Sequence, residues 1–175
     1  GYFPLRGTTA TKKLYTQMVG LNVNNYVAVM GFDSFVWAIN EMSGLEVNVE
    51  KPFVDKSFPG ERENWGPLTL EFKAGPQTMD GERALKYVRS RKGNNGEGSD
   101  FTRMKRQQNL LLSMPDAFLN RRKDVVPFAA QAFLDLISGK IKTDLGAPEV
   151  LKLYGFLEDY KNWQVTRLVL DESYV

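Results

Sequence analysis

The sequence predicts a layered α/β domain, and three observations carry that prediction. Residues 22–31 (NVNNYVAVMG) form a β-branched, apolar run suited to a buried strand. Phe35, Val36, Ile39 and Met42 then recur at helical spacing behind Asp33, a candidate cap, and Gly44 ends the helix. Leu45–Val49 (LEVNV) alternates apolar and polar residues, as a half-buried strand does. Strand–helix–strand over 22–49 is a building unit of layered α/β domains. At 175 residues the chain fits one domain, 1–175, with a full core.

The other elements follow in order. Residues 1–8 read as loop and 9–19 as a short helix with Leu14 and Met18 on one face. Residues 50–67, with Pro52, Pro59 and Pro67, read as a long loop. Leu68–Phe72 (LTLEF) alternates and reads as a strand, and residues 74–79 as a turn. A helix over 79–91 follows, with Asp80 as its cap and Ala84, Leu85 and Val88 as its apolar stripe. GNNGEG at 93–98 cannot continue it, and Ser99 or Asp100 starts the next helix. Pro115 predicts a kink or break near Ser113. Residues 125–138 read as helix, TDLG at 143–146 as a cap, 148–157 as helix and 163–170 as a strand.

Composition narrows the chemistry. The chain has no cysteine and no histidine. Disulfides, thiol nucleophiles, Ser-His-Asp catalysis and the usual transition-metal ligands are excluded. What remains is carboxylates, Arg, Lys, hydroxyls, or a hard cation held by oxygen. No apolar run reaches the roughly 18 residues that mark a spanning helix. The chain begins at Gly1, no signal peptide is visible, and a piece of a longer precursor is expected.

The basic charge is gathered in 79–112. Between Arg83 and Arg106 there are eight basic residues and two acids, a local +6 in a chain whose total is +2. Arg89 lies four after Leu85 and Arg91 three after Val88, so both are expected to extend the buried face of their helix. Arg103, Gln107, Leu110, Met114 and Phe118 are separated by 4, 3, 4 and 4 residues and share one face. A core stripe with a polar end suggests a helix entering a polar pocket. Solvated surface charge is the plain alternative for any one arginine. The joint pattern fits an oxyanion site, because helix N-termini and arginines both bind phosphate. Asp100 reads as an orienter of Arg103 or Arg91, as a metal contact, or as a simple cap. The second reading is a non-catalytic phosphate- or nucleic-acid-binding module. Against nucleic acid, few aromatics interleave the cluster and no helix-turn-helix spacing is present.

The same residues resemble a known family. LTLEFKAGPQTMDGERALKYVRSRKGNNGEGSDFTRMKRQQNLLLS resembles the signature region of the LytR-CpsA-Psr family. Its pattern is matched by Gly75, Met79, Asp80, Gly81, Ala84, Leu85, Tyr87, Arg89 and Arg91, then by Asp100, Phe101, Arg103, Arg106 and Gln107. The likeness extends to NNYVAVMGFDSFVWAINEMSGLEVNVEKPFVD before it and IKTDLGAPEVLKLYGFL after it.

The resemblance implies an α/β/α sandwich with a central mixed β-sheet and a long apolar pocket for a lipid. It implies an extracytoplasmic, membrane-anchored enzyme that transfers a teichoic acid or capsular-type glycopolymer from a polyprenyl-pyrophosphate carrier to peptidoglycan, through a phosphodiester and with the help of Mg²⁺. Nucleic acid is not an implied partner. Carried over by position, Arg89, Arg91, Arg103 and Gln107 would grip the pyrophosphate, and Asp100 with Arg103 would be catalytic. Asp100 would orient or transfer a proton, and Arg106 would be structural or peripheral. The family's earlier G-x-D-x-R, S-D and P-R-D elements, which hold the metal, are not found in this sequence. The chain therefore resembles the C-terminal part of such a catalytic domain, with Mg²⁺ ligands and anchor expected in an N-terminal segment that it lacks.

Overall fold

The computed structural model describes residues 28–60, 66–120 and 141–143, with a few isolated positions in the terminal segments. Its elements are β1 (Ala28–Met30), α1 (Phe32–Glu41), β2 (Leu45–Val49), β3 (Phe53–Phe58), β4 (Leu68–Phe72), β5 (Gly75–Met79), α2 (Gly81–Arg89), α3 (Asp100–Asn120) and β6 (Ile141–Thr143). The α/β class read from the sequence is the class observed. The described ladders are β1–β6, β2–β5 and β3–β4, each two-stranded and antiparallel. The elements expected over 9–19, 125–138, 148–157 and 163–170 lie outside the described residues.

Two strands stand where the sequence suggested loop and turn. β3 occupies the middle of the expected loop at 50–67. Pro52 and Pro59 bracket this strand instead of interrupting it, and its rings point inward. β5 begins with Gly75-Pro76, a pair that reads as a turn. Its backbone nevertheless pairs with β2 in full register, from Gly75 opposite Val49 to Met79 opposite Leu45. In β2 the burial alternates without a fault, and Leu45, Val47 and Val49 all face the core.

β3 carries a bulge. Asp55 pairs with Leu70 and Phe58 with Leu68, so β3 has one residue more than β4 between these pairs. The extra residue returns Phe58 to the buried face that already holds Phe53 and Asp55. Phe53 stacks on Phe72 at 5.0 Å, and both rings meet Tyr87, at 6.2 and 5.2 Å. This aromatic cluster joins Ile39, Met42, Leu45, Val47, Met79, Ala84 and Leu110 in one core. Met114 and Phe118 pack against it from α3, as their spacing with Leu110 implied.

The helix ends are built from local chemistry. Asp80 caps α2, its Oδ1 accepting Arg83 N–H at 2.7 Å. Asn40 of α1 accepts the Gly81 N–H at 2.8 Å, satisfying another orphan donor. Gly31, not Asp33, is the N-cap of α1; Asp33 lies in the first turn, near the positive helix end. That helix closes with Ser43 N–H on Asn40 O and Gly44 N–H on Ile39 O, the Schellman pattern. Ser99 caps α3, accepting Thr102 N–H at 3.1 Å, and Asp100 is already helical. α3 is unbroken at Ser113, contrary to the expectation from Pro115. The carbonyl deprived of its partner belongs to Leu111, an exposed residue where water can replace the bond.

α1 packs against α2, and α3 lies across β2 and against α2. α1 and α2 approach closely at Gly81. A Cβ placed there would meet the Val36 carbonyl oxygen at 2.2 Å. Backbone cannot yield as a flexible side chain can. Gly81→Ala is therefore expected to destabilise the fold by about 3 kcal/mol, an overpacking cost, measured as a drop in the urea midpoint with unchanged m-value.

Candidate functional site

The C-terminal end of α2, the segment that follows it and the first turns of α3 converge on one cavity. Its volume is about 490 Å³. Arg89, Arg91, Arg103 and Gln107, all singled out in the sequence, line it. Lys92 is a further cation on the wall, and Phe32, Phe58, Pro59 and Val88 supply an apolar side. The cavity thus combines fixed positive charge with rings and aliphatic surface.

The arginines do not sit as deep as their spacing implied. α2 ends at Arg89, so Arg91 lies beyond the helix, with its side chain 66% exposed. Arg89 and Gln107 are also exposed, while the Arg103 side chain is at 26%. They form the mouth and rim of the cavity. Arg89 stacks over Phe32 at 4.4 Å and lies 5.7 Å from the Phe58 ring centre. Stacking occupies the face of a guanidinium and leaves its in-plane N–H groups available for an anion. Gln107 donates weakly to Val88 O at 3.4 Å.

Asp100 does not line the cavity. Its Oδ1 lies 3.1 Å from Arg103 Nη1 and 3.5 Å from Arg91 Nη2, so one carboxylate oxygen ties together arginines from two different segments. Of the readings open for Asp100, this geometry suits the orienter.

Three other basic residues of the stretch, Arg83, Lys86 and Arg106, have other work. Arg83 stacks over Phe72 at 4.6 Å and donates to Glu71 O and Gln77 Oε1. Lys86 lies 4.0 Å from Glu82. Arg106 is not peripheral: it is 3% exposed. Its Nε donates to Tyr87 O, one Nη to Glu97 O and Glu97 Oε2, and the other to Ser90 O, at 2.5–3.1 Å. It also stacks over Phe53 at 4.8 Å.

Asp55 is the residue that sequence reasoning missed. It is 1% exposed and forms part of the cavity wall. Its Oδ2 accepts Ser90 Oγ–H at 2.7 Å and Lys92 N–H at 3.2 Å, and its Oδ1 accepts Ser57 N–H at 2.9 Å. Burial pushes this carboxyl up, and the hydrogen bonds from Ser90, Ser57, Lys92 and Arg91 together outweigh it, leaving the group below the usual carboxylate value. The signal was available: the alternation of Phe53 and Asp55 between two prolines. Burial similarly raises the Tyr87 hydroxyl, against a lowering hydrogen bond from Asn109.

A Mg²⁺ site does not fit these residues. Among the described residues no group of three His, Cys, Asp or Glu side chains could hold a metal ion. The carboxylates nearest the cavity are committed to N–H, O–H and guanidinium donors, in a setting dominated by cations. Nor, among those residues, is any helix long and apolar enough to cross a membrane.

Two outcomes follow from the buried charges. Arg106→Met leaves Glu97 buried without its partner, and stability is expected to fall by about 3–5 kcal/mol in chemical denaturation. The folded carboxyl of Asp55 titrates below its unfolded value of about 3.9, so its contribution is complete above that pH and is lost as pH falls through the folded value. Acid unfolding curves should therefore show a shallower loss below about pH 4 in Asp55→Asn than in the parent, which starts from higher stability.

Comparison with known proteins identifies the family. The LytR-CpsA-Psr family matches residues 2–173. The polyisoprenyl-teichoic acid–peptidoglycan teichoic acid transferase TagT of Bacillus subtilis is 28% identical over 163 residues, 93% of this chain and 47% of its own length. TagV of the same organism, named for the same activity, is 33% identical over 110 residues, 63% of this chain and 26% of its own. The crystal structure of B. subtilis TagV superposes with a TM-score of 0.62 at 25% identity, covering 90% of this chain and 54% of that one. The chain spans less than half the length of these two curated relatives. With the family model matched over nearly its whole length, this chain belongs to the LytR-CpsA-Psr family.

Proposed function

We propose that this chain supplies the pyrophosphate-gripping part of a phosphotransferase. The enzyme moves a teichoic acid or capsular-type glycopolymer from a polyprenyl-pyrophosphate carrier to a hydroxyl of peptidoglycan, forming a phosphodiester. One observation carries the reading: Arg89, Arg91, Arg103 and Gln107 share a single cavity whose other side is apolar. A ligand with a pyrophosphate at one end and a hydrocarbon tail at the other matches both halves of that lining. The transferase names of the relatives support the same chemistry.

Phosphoryl transfer needs chiefly positioning and charge neutralisation, which arginines supply without histidine. Arg89, Arg91 and Arg103 would take the non-bridging oxygens in bidentate contacts. They would also stabilise the charge that develops on the leaving polyprenyl phosphate as its bridging bond breaks. Gln107 would donate to the same group, and Asp100 would hold Arg91 and Arg103 in one orientation. No step is assigned to Mg²⁺, because these residues do not fit it. An extracytoplasmic site and a membrane anchor belong to the same proposal, as properties of the whole protein. Duplex nucleic acid is disfavoured as a partner, because these cations rim a cavity with an aromatic wall.

Isothermal titration with a short-chain polyprenyl pyrophosphate tests the assignment. Replacing Arg89 and Arg91 together by alanine is expected to weaken binding by roughly a hundredfold or more, since each charge-assisted contact contributes roughly 1.5–3 kcal/mol. Unchanged affinity would remove these arginines from the site.

A further inference from the structure

Ser90 stands between the two arginines of the Arg-Ser-Arg run and is fully buried. Each of its polar atoms is held. Its N–H donates to Lys86 O at 3.0 Å, its Oγ–H to Asp55 Oδ2 at 2.7 Å, and its carbonyl accepts Arg106 Nη2 at 2.5 Å. The backbone at Ser90 is extended, with φ −55° and ψ 134°. With Ser90 aimed inward at Asp55, Arg89 and Arg91 are both turned toward the cavity they line.

Asp55 is out of place in an anion site if it acts directly. A carboxylate repels phosphate, and both its oxygens are already taken by protein donors. Those donors include Ser90 and Lys92, the residues on either side of Arg91. β3 also holds the chain beyond: Val54 N–H donates to Asn94 Oδ1 at 2.8 Å, and Asn94 N–H to Val54 O at 3.1 Å. We propose that Asp55 is a positioning residue of the anion site, acting through Ser90 and Lys92 to aim Arg89 and Arg91 at one anion. The proposal rests on the reading of the cavity as a pyrophosphate site.

The test uses inorganic pyrophosphate as the probe, titrated calorimetrically at fixed ionic strength and well below the measured Tm of each variant. The parent protein binds and Arg91→Ala binds more weakly. Asp55→Asn is expected to weaken binding by about tenfold although its side chain meets no ligand, and the double variant Asp55→Asn/Arg91→Ala to lose less than the product of the two single losses, since Arg91 is one of the two groups Asp55 aims. A purely structural role would lower Tm and leave affinity unchanged, which overturns the proposal, as does additivity of the two substitutions. Should Asp55→Asn fail to fold, Ser90→Ala, which removes only the hydroxyl, carries the same expectation of weaker binding and non-additivity with Arg91→Ala. A parent protein that does not bind pyrophosphate overturns the site reading itself, and the proposal with it.

Discussion

A single buried guanidinium holds the region together. Arg106 reaches from α3 into the space between the end of α2 and the 93–98 loop and bonds backbone carbonyls of both. Taking a charge out of water is costly, and the cost is offset only when every donor finds an acceptor. Here Glu97 supplies the opposite charge, its carboxylate and three carbonyls accept four hydrogen bonds from the guanidinium, and the rings of Phe53 and Tyr87 lie against it. The result is a rigid junction where the chain would otherwise be a loop. Three segments that carry the cavity cations are thereby fixed to the aromatic core.

The site depends on this junction in a directional way. Helical periodicity brings Arg103 and Gln107 to the cavity, since they share a stripe with Leu110 and Met114. The segment after α2 has no such periodicity to aim it. Its direction comes from Asp55 on one side and Arg106 on the other, both gripping Ser90. The charged residues therefore divide into two kinds. Those at the rim are exposed and available to a ligand, while Asp55, Glu97 and Arg106 are buried and spent on one another and on the backbone.

Much of this was legible in the sequence, and the gaps have physical causes. β2 and β4 were visible because one face is buried and the other wet, which prints an alternation. The Asp80 cap and the break at 93–98 follow from local chemistry that needs no tertiary context. β3 and β5 were hidden because proline and glycine sit at their ends, where they resemble turn residues although only the strand interior excludes them. Helical spacing misplaces Arg91 because it runs past the true helix end, whereas Arg89 stands in the last turn of α2 and is exposed at the cavity mouth. Nothing local distinguishes Arg106 from its neighbours; only the packing of the 93–98 loop against α3 makes it internal. Asp55 was passed over because its segment had been read as loop.

The bulge in β3 settles a question of parity. Phe53 and Phe58 are five residues apart, an odd separation that would send their rings to opposite sides of a regular strand. The bulge absorbs one of those steps and restores an even phase, so one short strand closes the aromatic core with its first ring and walls the cavity with its last. Core and cavity are in this sense a shared frame. The length of that frame is counted in residues: the bulge lets five steps do the work of four, and five steps of regular strand would turn the cavity wall to the opposite face.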